Sequence, residues 1–293
     1  MRVSIHLLGR FSVSIDDRLV PASDWPRDRA AALVKLLAVS PAHRIHREQA
    51  MATFWPDLDV DAAGANLRKA VHFARRSLGV HELIEVNNDI VSLAPHAELE
   101  IDAEVFEAAA KAALRSSDRS AFERAADLYG GQLLPDDIYV DWLDNPRRQL
   151  QQRYVDLLRA GELWQRLIAL DPTDEQAQCA LMQAALDAGN RVEAIRQFNQ
   201  LRGSLHAELG VGPSAPAIAL YEKALALSEA ETANPTDRIR ASLAWGLVRL
   251  QSGEFDKASE IARQTRDLAI GADLGREVGE ASALLGLASQ MQE

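Results

Sequence analysis

The stretch 61–79, DAAGANLRKAVHFARRSLG, decides how the rest of the chain is read. At 100° per residue Leu67, Ala70, Val71, Ala74 and Leu78 share one apolar sector. Lys69, His72 and Arg76 fall opposite, with Asn66, Arg68, Phe73 and Arg75 on the flanks. Asp61 supplies an N-cap oxygen and Gly79 a C-cap glycine, so the pattern predicts a helix over 61–78. Positions 62–81 hold Arg68, Lys69, Arg75 and Arg76 and no acidic residue. Such a helix buries one side and offers cations on the other.

Working outward, the residues upstream alternate as short strands: Val3, Ile5 and Leu7, then Phe11, Val13 and Ile15, with Gly9-Arg10 and Asp16-Asp17 as turns. Leu19-Val20-Pro21 suggests a third edge piece. From Arg27 the period changes to a helical stripe of Ala31, Val34, Leu37 and Ala38 that stops at Ser40-Pro41, and a second helix is expected over 47–55, ended by Pro56. Downstream, 83–86 and 90–93 flank Asn87-Asn88-Asp89, a hairpin signal because Asn and Asp tolerate the positive φ of tight turns. Sheet, three helices and hairpin follow in that order.

After a polar joint at 95–100 the chain reads as helix, over 103–115, 121–129, 147–160, 162–170, 175–188, 191–209 and 215–226. Residues 187–194 (DAGNRVEA) match 251–258 (QSGEFDKA): a helix end, a glycine turn, then a small alanine that lets paired helices approach. That is the logic of tetratricopeptide-like hairpins. Residues 228–237 (SEAETANPTD) read as a polar linker. The helices beyond it end without a polar capping helix, which leads us to expect a continuation past Glu293 into further repeats or an ATPase domain.

The chain has 293 residues, a net charge of -11 and one cysteine, Cys179, which excludes an internal disulfide and a multi-cysteine zinc site. No signal peptide or membrane span is apparent, and a cytoplasmic location without membrane partners is expected. The acidity is unevenly placed: residues 1–100 hold 12 Lys+Arg against 13 Asp+Glu, and the remainder 20 against 30. The overall charge therefore does not exclude nucleic acid.

No phosphate-binding loop and no nucleophile arrangement occurs, so no enzyme, cofactor or metal is expected. Gly210-Val211-Gly212 follows a helix where a dinucleotide motif requires a strand, and reads as a C-cap. His43 and His46 lack a third ligand, the acids at 136, 137, 141 and 144 fit no calcium loop, and Cys179 lies in an apolar helical run.

Several segments resemble the Streptomyces antibiotic regulatory protein family. They are Leu7-Leu8-Gly9, Arg29-Ala30-Ala31-Ala32-Leu33, Phe54-Trp55-Pro56-Asp57, Asn66-Leu67-Arg68-Lys69-Ala70-Val71 and Arg75-Arg76-Ser77-Leu78-Gly79. Farther on come Ile101-Asp102-Ala103 with Phe106, Ala169-Leu170-Asp171-Pro172, Arg196-Gln197-Phe198 and Glu208-Leu209-Gly210-Val211. The chain departs from the family at His72-Phe73, usually a small polar residue and then a basic one, and at Ala74, usually Leu, so the family's DNA preference does not transfer directly. The stretch 147–170 is also short for a full helical hairpin, which implies a truncated first repeat.

The resemblance implies a mainly α protein: an OmpR-type winged helix-turn-helix over 1–95, a bacterial transcriptional activator domain over 101–227, and further tetratricopeptide-like helices over 237–293. It implies a transcriptional activator that binds double-stranded promoter DNA through Asn66, Arg68, Lys69, His72, Phe73, Arg75 and Arg76 and through the wing at Asn87 and Asn88. RNA polymerase would meet Trp55, Asp57 and Asp59, with packing of Trp55 into the small core as the alternative of equal weight. The helical part would hold a homodimer contact or a protein or small-molecule effector. Two plainer readings stay open: a solvated basic face on the helix, and a repeat-type interaction or ligand-sensing regulator whose winged domain is degenerate. Placement after a two-helix unit and before a hairpin favours DNA.

Overall fold

A computed structural model describes residues 1–25, 28–116, 118–231 and 235–291. The contacts group the chain into two compact units, 1–161 and 162–293. The protein is mainly α, with an N-terminal α+β winged helix-turn-helix followed along the chain by an array of helical hairpins.

In the first unit β1 (Arg2–His6) and β2 (Ser12–Ile15) pair antiparallel with Val3 opposite Ile15 and Ile5 opposite Val13. Their alternating apolar residues are buried on one face. β3 (Arg18–Leu19) is the edge piece the sequence suggested. The polar joint at 95–100 proves to contain a strand: β7 (Glu98–Ile101) lies parallel to β1, with Ile5 beside Ile101. Leu99 and Ile101 alternate too weakly over four residues to announce it. The first sheet has the order β3-β2-β1-β7.

Three helices follow: α1 (Asp28–Val39), α2 (Arg47–Phe54) and α3 (Val60–Leu78). The residues at 26 and 27, where the first helix was expected to begin, lie outside the described set. Its buried positions are Ala30, Leu33, Val34, Leu36, Leu37 and Ala38, with Ala31 only half-buried. The short strand β4 (Arg44–His46) then joins β5 (Ile84–Asn87) and β6 (Ile90–Leu93) in a second sheet of order β4-β6-β5. Asn87 belongs to β5, opposite Ile90, so the hairpin turn is Asn88-Asp89, both at positive φ (47° and 63°).

Three more helices complete this unit: α4 (Asp102–Ala113), α5 (Arg119–Asp127) and α6 (Asp144–Ala160). They surround Phe106, Tyr129 and Tyr154, with the two tyrosine rings stacked at 4.1 Å. The Asp102 carboxylate accepts from the amides of Leu7 and Leu8 at 2.8 and 3.0 Å. Gly9 N–H donates to Gln132 and Leu134 N–H to Leu7. At Gly9 (φ 76°) a Cβ would come within 2.5 Å of the Gly130 carbonyl oxygen, so the crossing needs glycine. The half-buried Lys35 of α1 pairs with Asp137 at 2.6 Å. Helices that the sequence assigned to the second domain are thus bonded into the first unit.

The second unit runs through α7 (Trp164–Leu170), α8 (Glu175–Asp187), α9 (Arg191–Leu209), α10 (Ala215–Glu231), α11 (Pro235–Gln251), α12 (Phe255–Gly271) and α13 (Gly275–Gln290). α7 has only seven residues, in keeping with a shortened first hairpin. Much of 228–237 is helix rather than linker, belonging to α10 and α11, and 232–234 lie outside the described residues.

The glycine repeat is realised. Gly189 and Gly253 take φ near +73° (72° and 74°), and the amides of Asn190 and Glu254 reach back to the carbonyls of Ala185 and Arg249. The same closure recurs with Asp273 at φ 56° and Leu274 N–H on Ala269. Ala194, Ala258 and Ala281 are fully buried on the helices that follow these turns. Phe198 stacks on Tyr221 at 4.2 Å within the first hairpins.

Candidate nucleic-acid interface

The α3 apolar sector is buried as the wheel requires: Leu67, Ala70, Val71, Ala74 and Leu78 all lie in the core. The N-cap differs from the expected one. Asp59 accepts from Ala62 N–H at 2.8 Å, so the cap lies two residues earlier than expected and Asp61 falls in the first turn, where the helix dipole favours a carboxylate. Gly79 is the left-handed C-cap, and the Ser77 hydroxyl ties the last turn to the Asp24 carbonyl.

On the outer side Arg68, Lys69, His72 and Arg76 are exposed. Among the described residues Arg68, Lys69 and Arg76 form no ion pair. Asn66 and Phe73 are half-buried beside them, with the Phe73 ring edge-on to His72 at 5.3 Å. Arg75 is placed differently from its neighbours: its Nε donates to the Ile84 carbonyl at 2.8 Å and its guanidinium faces His81 at 2.9 Å. It fastens the helix to the root of the wing.

Asn87 and Asn88 are exposed at the wing tip. The tip is held from the other side, because Arg47 N–H donates to the Asp89 carbonyl at 2.7 Å and the Arg47 guanidinium pairs with the Asp89 carboxylate at 3.0 Å. Arg47, which the sequence reading left out, also lies with Arg68 beside Gly64: each guanidinium is 3.6 Å from where a Cβ there would stand. Only the tertiary approach of α2 to α3 reveals this pairing of cations.

Trp55 is half-buried, edge-on to Phe54 at 5.6 Å, while Asp57 and Leu58 are exposed in the loop before α3 and Val60 is exposed at its first position. Asp59 is exposed as well but already serves as the cap. His46 caps α2, accepting from Glu48 N–H at 3.3 Å, and His43 Nε2 faces Glu104 at 3.5 Å. Gly210 is a left-handed cap on α9, and Cys179 packs half-buried against the Phe198 cluster, where burial raises its thiol pKa. Among the described residues no group of three or more potential ligands gathers around a metal-sized space. No described helix is long and apolar enough to cross a membrane.

Against known families, residues 159–225 match the model of the bacterial transcriptional activator domain. The second unit carries that domain. The match bears out the bacterial transcriptional activator domain that the resemblance to Streptomyces antibiotic regulatory proteins implied. Among solved structures, the chain is similar to Mycobacterium tuberculosis EmbR in complex with a low-affinity phosphopeptide, at 17% identity, TM-score 0.58, and coverage of 82% of this chain and 69% of that one. That likeness supports the fold, a winged domain followed by activator-domain helices. A signal transduction ATPase with a tetratricopeptide repeat sensor from Pyrococcus horikoshii aligns over 91% of this chain and 48% of its own, at 14% identity and a TM-score of 0.27, too low to carry an argument. Among curated proteins no relative matches.

Proposed function

We propose that the chain is a cytoplasmic transcriptional activator that binds double-stranded promoter DNA by laying α3 in the major groove. The supporting observation is the exposed stripe of Arg68, Lys69, His72 and Arg76, whose three full cations have no carboxylate partner among the described residues. Unpaired cations on a groove-sized helix release counterions from phosphates, and Arg or Lys can donate to guanine edges. The wing tip, with Asn87 and Asn88, reaches the neighbouring backbone. The exposed Asp57, Leu58 and Val60 next to Trp55 form the surface offered to RNA polymerase.

Fluorescence anisotropy of the full chain on a duplex from its own upstream region tests the reading. Neutralising about four phosphates gives a slope of log K against log [salt] of roughly -3.6. Arg76→Ala weakens binding, whereas Arg124→Ala, on α5, leaves it unchanged because that side chain is engaged with Ser120 and with the helix's N-cap Asp118. A salt-insensitive isotherm, or equal effects of the two substitutions, refutes DNA binding through α3 and favours an interaction regulator with a degenerate winged domain.

A further inference from the structure

A hollow of about 620 Å³ lies beside the α3 stripe, between α1, the end of α2 and α3. It is lined by Arg29, Ala30, Ala32, Trp55, Asn66, Lys69 and Ala70, with no carboxylate. Ala30 and Ala70 form a buried floor, and the exposed Arg29 and Lys69 stand at the rim on two different helices. Asn66 and Lys69 are three apart and so share one face of α3. The Arg29 guanidinium rests over the Phe54 ring at 5.5 Å, which holds it at the mouth, and neither Arg29 nor Lys69 forms an ion pair among the described residues.

Apolar floor, aromatic wall and paired cations at the rim match the chemistry of a sugar-phosphate unit. The geometry points to this hollow as the seat of one DNA backbone phosphate and its sugar, gripped between Arg29 of α1 and Lys69 of α3. The inference rests on the DNA-binding reading and adds to it a contact outside the recognition helix. Duplex DNA is favoured over a free nucleotide because Lys69 belongs both to the hollow and to the stripe that faces the groove. A contact of this kind sets register without reading sequence.

The test uses the full chain on the duplex from its own upstream region. Arg29→Gln lowers the salt slope by about 0.9, the value of one phosphate, and weakens binding to specific and unrelated duplexes by the same factor. Methylphosphonate substitution, one phosphate at a time, finds one position that weakens the wild type and leaves Arg29→Gln unaffected. Because Arg29 also packs on Phe54, thermal melting is followed in parallel, and Arg29→Lys, which keeps the charge, restores most of the slope if the loss is electrostatic.

Wild-type binding with an unchanged slope in Arg29→Gln overturns the inference, as does the lack of any phosphate position that cancels the effect. Deoxynucleoside monophosphate binding that needs Arg29, with DNA binding unaffected, overturns it in favour of a free nucleotide ligand. Wild-type protein that fails to bind DNA refutes the proposed function itself, a distinct outcome.

Discussion

Replacing Arg147 by methionine tests whether α4 to α6 and the winged domain unfold as one. Arg147 is 8% exposed, and its guanidinium donates to the carbonyls of Leu133, Leu134 and Asp137 at 3.0, 2.9 and 2.7 Å. Those carbonyls belong to the segment whose other groups bond Leu7 and Gly9 at the end of β1 and Lys35 on α1. A hydrogen bond from a charged donor contributes roughly 1.5–3 kcal/mol. Three bonds share one guanidinium whose burial is itself costly, so the sum is reduced by the desolvation that methionine avoids. The net loss is about 3 kcal/mol, close to a hundredfold in the opening equilibrium. Amide hydrogen exchange, resolved by peptide, reads it directly. Arg147→Met speeds exchange in 2–15 and 28–39 as much as in 130–147, while 175–225 is unchanged. Faster exchange confined to 130–147 would refute the single cooperative unit and restore a boundary near residue 100.

Other perturbations follow from the same contacts. Gly64→Ala stabilises by about 0.5–1 kcal/mol in thermal melting, since the nearest atoms stand 3.6–3.7 Å from the new Cβ and alanine is the better helix former. Gly9→Ala, with φ at 76° and a backbone oxygen at 2.5 Å, instead destabilises by more than about 2 kcal/mol; comparable melting for the two would contradict the crossing at Gly130. Arg75→Ala speeds exchange across β5 and β6 and changes the DNA salt slope less than Arg76→Ala does, because its guanidinium is engaged with Ile84 and His81; the reverse order would make Arg75 a phosphate contact. Hydrogen bonds from Arg196 and then Gln197 hold the Glu193 carboxyl at about 2, below its usual 4.5, so its contribution to stability is present above about 4.5 and is lost as pH falls towards 2. Urea unfolding of the second unit then weakens on acidification from pH 5 to 3 more in the wild type than in Glu193→Gln, and parallel curves would rule the contribution out.

What was legible in the sequence is what local periodicity and local turn chemistry determine. The α3 sector, its glycine cap, the wing and the repeated glycine turns each depend on residues within a few positions of one another, so one pass along the chain finds them. β7 depends on a partner some 96 residues away, Ile5 for Ile101, and its short alternation is indistinguishable from a polar joint. The unit boundary at 161 depends on Asp102 and Gly130 meeting the end of β1 and its loop, and on Arg147 holding the 132–137 segment that bonds Leu7 and Gly9, contacts no spacing records. The site shows the same division. The cations on α3 were legible as a face, but charge alone could not separate Arg75, which bonds the wing root, from Arg76, which faces solvent. Nor could it bring in Arg29 and Arg47, which reach the face from other helices.

Net charge of -11 is a poor guide to partners here because what matters is whether a cation is already matched. In the second unit Arg196 pairs with Glu193, Arg240 with Glu277, Arg249 with Glu222 and Glu254, Arg263 with Glu260 and Arg276 with Glu280. The exposed pairs among them, Arg196–Glu193, Arg263–Glu260 and Arg276–Glu280, contribute little to stability, at most about 1 kcal/mol each. They do cancel the local field, so these arginines are already matched and displace few of the cations condensed on DNA phosphates. Arg68, Lys69 and Arg76 have no such match among the described residues. Removing one acid from the second unit frees one isolated arginine without assembling a stripe of cations, whereas one carboxylate introduced at the exposed His72 would oppose the α3 stripe directly. His72→Glu is expected to cost more DNA affinity than Glu280→Gln restores, with both measured at the same salt concentration, and equal and opposite effects would show that net charge governs after all.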